Sequence, residues 1–368
     1  MKITKISLYH YDWVNAEPEG FALSGGRSVS TIPGRVLKIE TDEGTTGWGD
    51  ESPWGGQYLE MFVGAVKPGL DMLAPAVIGK DPCNIGDIYY TMDTTLLGHG
   101  YIKTLIDMAC WDIFGKASGR PLYELLGGKL NKKIPVVPFL MRKYGEHQKA
   151  VLDSFREQGI NQFCTKASGT LAYTTEYIEY ITDLLLPGES LVIDANRGWR
   201  LDEALQIAKA AGNTQICLEQ PCDTYEECRD LMQITGVPVV LCECIKTPRE
   251  LARAAMEGGI AGLNIKLARV GGVTKAKLMR DLCAEWNIQC WMQCVNEAQI
   301  GDAAVAHLAY STPPNVIRNA VNNGILTSTV IAEGGPRVKD HMIEITDEPG
   351  LGVTPIPAAL GEPIGVWH

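Results

Sequence analysis

The chain has little positive charge. Its 33 Lys and Arg stand against 44 Asp and Glu, a formal net charge of −11 at pH 7. That balance excludes a broad electrostatic grip on nucleic acid or on an anionic membrane surface. No apolar run reaches the roughly 20 residues that a membrane-spanning helix needs. The first residues, Met1-Lys2-Ile3-Thr4-Lys5-Ile6, alternate as a strand does and hold no apolar signal-peptide core. Histidine occurs only six times, scattered along the chain; His99 is expected near the seam of the two parts, and the others on the surface or in the core. No low-complexity linker interrupts the sequence, so its parts are expected to pack firmly. Val270-Gly271-Gly272-Val273 is at most a weak anion site, and there is no other phosphate-binding glycine loop. Cysteine is the exception to this scarcity. There are eleven, but the number is odd and no secretory signal precedes them, so reduced thiols and a cytoplasmic location are expected.

A length of 368 residues accommodates two domains, or one barrel with an appended domain. Residues 1–125 read as an α+β unit, with strands over 2–9 and 34–41 and a long helix over 101–118. Gly119, Pro121 and the pair Gly127-Gly128 then break the chain. From about residue 134 short apolar strands alternate with amphipathic helices, at roughly 25–30 residues per unit, the rhythm of repeated βα units. Strands are predicted to end near Lys166, Asp194, Glu219, Cys242, Lys266 and Gln293 or Cys294. Helices are predicted over 175–185, 201–211, 225–234, 248–257 and 274–286. Strands near 135–139 and 315–318 bring the count to eight. The expected fold is α/β: a modified (β/α) TIM barrel over 126–347 behind an N-terminal α+β capping domain. A Pro/Gly-rich C-terminal segment, 348–368, is expected to return to the cap.

The strand ends carry the chemistry. A parallel barrel holds its active site at the C-terminal ends of its strands. Lys166 and Lys266 close the predicted second and sixth strands, which face each other across an eight-stranded barrel. Asp194, Glu219 and Cys242 occupy the arc between them. Strand alternation aims Cys164 with Lys166 and Asn264 with Lys266. One such charge at a strand end is usually solvated, or caps a helix. Four at consecutive strand ends point to function. The arrangement suits removal of a proton from the carbon beside a carboxylate, a weak acid whose enolate needs electrostatic help from a divalent cation. A lysine serves as base where desolvation and neighbouring positive charge lower its pKa. A second lysine on the far face returns the proton or assists a leaving group.

These residues resemble the enolase superfamily, in its muconate-lactonising-enzyme subgroup, over essentially the whole chain. The stretch Asp107-Met108-Ala109-Cys110-Trp111-Asp112-Ile113-Phe114-Gly115-Lys116, followed by Leu125-Leu126-Gly127-Gly128, resembles the family signature at the junction of cap and barrel. Asp194-Ala195-Asn196 with Trp199, and Leu218-Glu219-Gln220-Pro221, resemble its metal-strand signature. Within the subgroup, five stretches look like the branch acting on cyclic amino acids, which includes cis-3-hydroxy-L-proline dehydratase and hydroxyproline-betaine epimerase. They are Leu23-Ser24-Gly25-Gly26-Arg27, Pro53-Trp54-Gly55 with Tyr58, Gly98-His99-Gly100-Tyr101, Glu219-Gln220-Pro221-Cys222, and Arg269-Val270-Gly271-Gly272. The resemblance implies Lys166 and Lys266 as the acid/base pair and Asp194 and Glu219 as metal ligands, with Cys242 at the third ligand position. Trp54, Tyr58, Cys164, Asn196, Asn264, Gln293 and Cys294 are then expected in the substrate pocket. A small carboxylate substrate and a homo-oligomer, dimer or octamer, are also implied.

The chain departs from the family pattern at three positions. The third ligand is an aspartate in the family and Cys242 here, followed by Glu243, which strand alternation turns away from Cys242. Cys164 replaces the first lysine of the common Lys-x-Lys. The seventh strand of the family usually carries an acidic residue near Gln293 or Cys294, followed by a glycine pair, and here reads Met292-Gln293-Cys294-Val295-Asn296. A thiol is a poor ligand for magnesium, which prefers hard oxygens. Three outcomes stay open. Mg²⁺ binds through Asp194, Glu219, water and substrate; a softer ion such as Zn²⁺, Mn²⁺ or iron binds through Asp194, Glu219 and Cys242; or no metal binds. The expected function is metal-assisted abstraction of the α-proton of a small cyclic amino-acid carboxylate, leading to dehydration or 2-epimerisation. The alternative is a degenerate, metal-poor relative that binds without catalysing.

Overall fold

The structure is a computed structural model and describes residues 1–16, 21–22, 28–54, 56, 58–141, 144–167, 170–212 and 215–368. The stretch 23–27 and position 55, singled out above, lie outside the described residues.

The N-terminal sheet is an antiparallel meander. Ile3–Val14 pairs with Thr31–Thr41, which pairs with Thr46–Glu51. The turn into the third strand passes Gly44 at φ 79°, which glycine adopts without strain. The first strand runs longer than predicted because Tyr11 and Trp13 continue the buried alternation past Tyr9. The chain's last strand, Gly365–Trp367, adds to the other edge of Ile3–Val14, antiparallel. The long helix spans Gly100–Ser118. It is buried almost all round, not on one stripe, because the sheet lies on one side of it and the barrel on the other. Gly47 and Gly49 permit that closeness: a Cβ at Gly49 would stand 2.0 Å from the Leu105 carbonyl oxygen. The helix's buried polar groups are paired. Asp112 accepts from Trp48 N and Lys116 Nζ, and Asp107 from the backbone and hydroxyl of Thr274.

Seven parallel strands form the barrel, in ladder order Gln162–Lys166, Ser190–Asp194, Ile216–Glu219, Val239–Leu241, Gly262–Lys266, Gln289–Gln293 and Ile317–Ala320. The predicted eighth, near 135–139, is reduced to single bridges: Val136 to Ala320 on one side and Phe139 to Cys164 on the other. Those bridges close the ring between the last and first strands of the ladder. Pro135 and Pro138 lack the N–H that a full ladder would use. Two strand ends differ from expectation. The fourth stops at Leu241, before Cys242, and the last is displaced to Ile317–Ala320.

Inward-facing Val192, Val240 and Trp291, with Cys164 and Cys217 against them, fill the barrel floor. Two residues further along each strand, the same face meets the barrel mouth. The intervening helices start on capping boxes at Thr224 and Thr247, where each Thr hydroxyl accepts from the N–H three residues on and a Glu side chain answers. Among the described residues no helix is long and apolar enough to cross a membrane.

Candidate active site

Lys166, Asp194 and Glu219 are register partners on three adjacent strands, so the parallel ladder itself sets them side by side. Lys266 reaches in from the fifth strand of the ladder, in register with Gln293 on the sixth. The four charged side chains line one cavity of about 150 Å³, which Trp54, Tyr58, Cys164, Gln293 and Cys294 also line.

Lys166 Nζ donates to Asp194 Oδ2 at 2.5 Å and to Asn196 Oδ1 at 3.0 Å. Burial lowers the Lys166 pKa, but the Asp194 and Glu219 carboxylates outweigh it and hold the ammonium above its ordinary range. Burial and the Asp194 charge push the Glu219 carboxyl up. Asn196 sits in the left-handed region at φ 45°, which asparagine tolerates, and its N–H donates to Asp194 Oδ1 at 2.9 Å. On the other wall Lys266 Nζ donates to Tyr58 Oη at 2.5 Å and stands 4.8 Å above that ring. Burial pushes the Tyr58 phenol well up, with Glu243 the largest charge acting on it, so Tyr58 stays protonated. Trp54 meets Tyr58 edge-on, with ring centroids 5.9 Å apart.

The predicted pocket residues Asn196 and Asn264, and Cys242 at the predicted third ligand position, do not line the cavity. The two asparagines stand behind it. Asn196 bridges Lys166 and Asp194, and Asn264 Nδ2 donates to Glu219 Oε1 at 2.7 Å. Cys242 is turned aside: Arg269 Nη1 donates to its sulfur at 2.9 Å. Burial nevertheless pushes the Cys242 thiol well above its ordinary value. Cys164 and Cys294 do reach the cavity, and burial pushes both thiols well up as well. Asn323 Nδ2 donates to the Cys294 sulfur at 2.9 Å.

The turn after Leu241 is held by Gln220, whose Oε1 accepts from Cys242 N at 2.9 Å and from Cys244 N at 3.2 Å. Between those two anchored peptides Glu243 turns away from Cys242, as alternation predicts, but towards the site. Its Oε1 accepts from Asn196 Nδ2 at 3.0 Å. Sequence reasoning treated alternation as the whole question. The strand had already ended, so facing away from Cys242 did not mean facing away from the mouth. Arg269, seen in the sequence only as part of a family stretch, and the wall residues Asn322 and Asn323 were also missed. Arg269 lies in the one-turn helix Leu267–Val270 directly after a strand end, and Asn322 and Asn323 open the 3-10 turn Asn323–Ile325 after the last strand, segments too short to show a period.

Besides the Cys164 and Cys294 thiols, a divalent cation would find oxygen donors here. Asp194 and Glu219 flank the cavity, and two further buried oxygens, Glu243 Oε2 and Asn264 Oδ1, have no hydrogen-bond partner among the described residues. This set suits a hard ion. The Cys242 thiol, protonated and bonded to Arg269, does not suit one. Among the described residues, no three acidic, thiol or imidazole groups stand ready around one point. Lys166 holds Asp194 instead.

Comparison with known proteins places this geometry. Residues 8–127 match the mandelate racemase / muconate lactonizing enzyme N-terminal domain, and residues 147–359 the enolase C-terminal domain-like family. The chain is 38% identical over 364 residues to cis-3-hydroxy-L-proline dehydratase of Roseibium aggregatum, covering 99% of each chain. It is 29% identical to N-succinyl-L-Arg/Lys racemase of Bacillus cereus, covering 96% of this chain and 95% of that one. A mandelate racemase/muconate lactonizing enzyme from Roseovarius nubinhibens superposes at TM-score 0.95 with 32% identity, over 100% of this chain and 99% of that one. Another from the same organism, complexed with magnesium, superposes at TM-score 0.92 with 31% identity, over the full length of both.

Proposed function

The chain belongs to the mandelate racemase / muconate lactonizing enzyme family of enolase-superfamily enzymes, and from that premise we propose that it abstracts the α-proton of a small cyclic amino-acid carboxylate. Dehydration of a cis-3-hydroxy-L-proline-like substrate is the favoured outcome, and 2-epimerisation is the other outcome of the same first step. The observation that carries this reading is the pair Lys166 and Lys266, both lining one small cavity with Asp194 and Glu219. The cavity, about 150 Å³, is smaller than the roughly 300 Å³ at which drug-sized pockets begin, and it suits a substrate of one ring.

In this reading Asp194 and Glu219, with oxygens near them, hold a divalent cation, for which Mg²⁺ is the first choice on ligand hardness. That ion would stabilise the negative charge of the enolate and compete with Lys166 for the two carboxylates. Beside such a cation, burial would favour the neutral amine of Lys166, the form that accepts a proton. The two lysines divide the proton work. One takes the α-proton, as the substrate's configuration decides. The other protonates the departing 3-hydroxyl, or returns a proton to the opposite face. In dehydration the electrons of the C2–H bond become the C2–C3 double bond as the hydroxyl leaves with a proton as water. Tyr58 orients Lys266 through its Oη, and the edge-on pair of Trp54 and Tyr58 closes the cavity from the cap side.

The test is to follow the α-proton of cis-3-hydroxy-L-proline, and of related proline derivatives, by NMR in D₂O with added Mg²⁺. Exchange or elimination that a chelator blocks supports the reading. With chelator-insensitive turnover, or no exchange across the series, the proposal fails. One observation favours a second reading, binding without catalysis: the third ligand position is a thiol already bonded to Arg269. If exchange appears in Cys242→Asp and is missing in the natural chain, that second reading holds.

A further inference from the structure

The third acidic position of the site is missing from its aligned place, and an incompletely paired carboxylate stands one residue away. Glu243 is only 2% exposed, and among the described residues its Oε2 has no hydrogen-bond partner. Its Oε1 and Asp194 Oδ2 both accept from the same nitrogen, Asn196 Nδ2, at 3.0 and 3.2 Å. One amide thus gathers an oxygen from each of two carboxylates at the barrel mouth. A second orphan is independent of these acids. Asn264 Oδ1 is buried without a partner, on the amide whose Nδ2 donates to Glu219 Oε1 at 2.7 Å. Among the described residues the hydrogen bond to the Glu243 carboxylate comes from one neutral amide, on Oε1, and Oε2 is left open. Both orphaned atoms are hard oxygens, the donor type that Mg²⁺ and Mn²⁺ take. Cys242, by contrast, is spoken for by Arg269.

We propose that Glu243, and not Cys242, is the third carboxylate of a divalent-cation site with Asp194 and Glu219, and that Asn264 Oδ1 lends a neutral oxygen beside Glu219. This rests on the metal-assisted reading above. The ligand has moved one residue along the chain because the strand stops at Leu241. Past that point Gln220 Oε1 anchors the N–H groups of Cys242 and Cys244, and the side chain between them is free of the ladder's alternation. Loading the site requires Lys166 Nζ to leave Asp194, 2.5 Å away. That departure frees the same lysine for proton transfer.

The experiment is a titration of the full-length, chelator-treated protein with Mn²⁺, read by the electron paramagnetic resonance signal of the free ion. It compares the natural chain with Glu243→Gln and Cys242→Ala. Glutamine keeps the shape and the acceptor for Asn196 Nδ2, and circular dichroism confirms that each variant is folded. The expected result is a loss of Mn²⁺ affinity of at least about 10-fold in Glu243→Gln, the scale at which metal-site substitutions act, with Cys242→Ala within about 2-fold of the natural chain. The reverse pattern, equal effects in both variants, or no Mn²⁺ binding by the natural chain overturns the assignment. Exchange of the substrate's α-proton in D₂O, followed on the same preparations, separates the two readings. Exchange with Mn²⁺ affinity unchanged in Glu243→Gln defeats this inference and leaves the proposed reaction standing. Glu243-dependent Mn²⁺ binding without exchange defeats the reaction and leaves the site.

Discussion

Glu297 offers a pH test of how cap and barrel are joined. It is 1% exposed; its Oε2 accepts from Val295 N at 2.5 Å, while its Oε1 has no partner. Beside it lies Asp50 at the end of the cap strand, accepting from Tyr11 Oη, Ala298 N and Gly301 N. Burial first, and then the Asp50 charge, push the Glu297 carboxyl up from 4.5 to about 8. A raised carboxyl pKa means that the folded state keeps a proton the unfolded chain has already lost. Stability from this group is therefore intact below the unfolded value near pH 4.5 and falls as pH rises towards the folded value. At about 1.4 kcal/mol per unit the whole effect approaches about 5 kcal/mol, of which about 3.5 kcal/mol falls between roughly pH 5 and pH 8. Glutamine at 297 cannot ionise, so Glu297→Gln should lose that slope. Any cost of the amide itself is independent of pH and cancels in the comparison. The assay is urea denaturation of both proteins at several pH values across that range. The variant should gain on the natural chain by roughly 2–5 kcal/mol from the acid end to the alkaline end. A stability gap that stays constant with pH would refute the reasoning, because Glu297 would then ionise alike in the folded and unfolded chains.

Lys266→Ala should lower α-proton exchange by about 10²–10⁴-fold, the usual worth of a positioned acid or base; unchanged turnover would remove Lys266 from the chemistry. Gly49→Ala should destabilise the cap by at least about 1–3 kcal/mol, because its methyl would meet the Leu105 carbonyl oxygen at 2.0 Å; thermal denaturation measures it. Thr247→Ala should cost about 1 kcal/mol by removing the hydroxyl that accepts from Glu250 N, without affecting exchange. Leu218→Ala, fully buried in the core, should cost roughly 2–5 kcal/mol, visible in the denaturation midpoint.

Much of the fold was legible because burial imposes periods that survive in the sequence. The βα rhythm located the strands that end at Lys166, Asp194, Glu219, Lys266 and Gln293, and the rule that parallel barrels work at their strand ends singled out the charges there. The helix at 100–118 was legible as a helix. Its complete burial was not, since that depends on Gly47 and Gly49 admitting it against the sheet. The barrel was expected to be modified at its start, and there the first strand makes only single bridges within the barrel, while Ile134–Pro135 pairs with Met342–Ile343; Pro135 and Pro138 cannot donate to a ladder.

Alternation along a strand follows from local backbone geometry, and the βα rhythm was enough to put Lys166, Asp194 and Glu219 at successive strand ends. The parallel register then set them side by side. What happens where the ladder stops was not legible in that pattern. At Leu241 the chain passes under the control of Gln220, the residue just past the end of the neighbouring strand Ile216–Glu219, and alternation no longer relates a residue's number to the side it faces. That contact, distant in sequence, accompanies Cys242 turned to Arg269 and Glu243 turned to Asn196. Side-chain direction in a turn is set by such partners, and a pattern of neighbouring residues does not encode them.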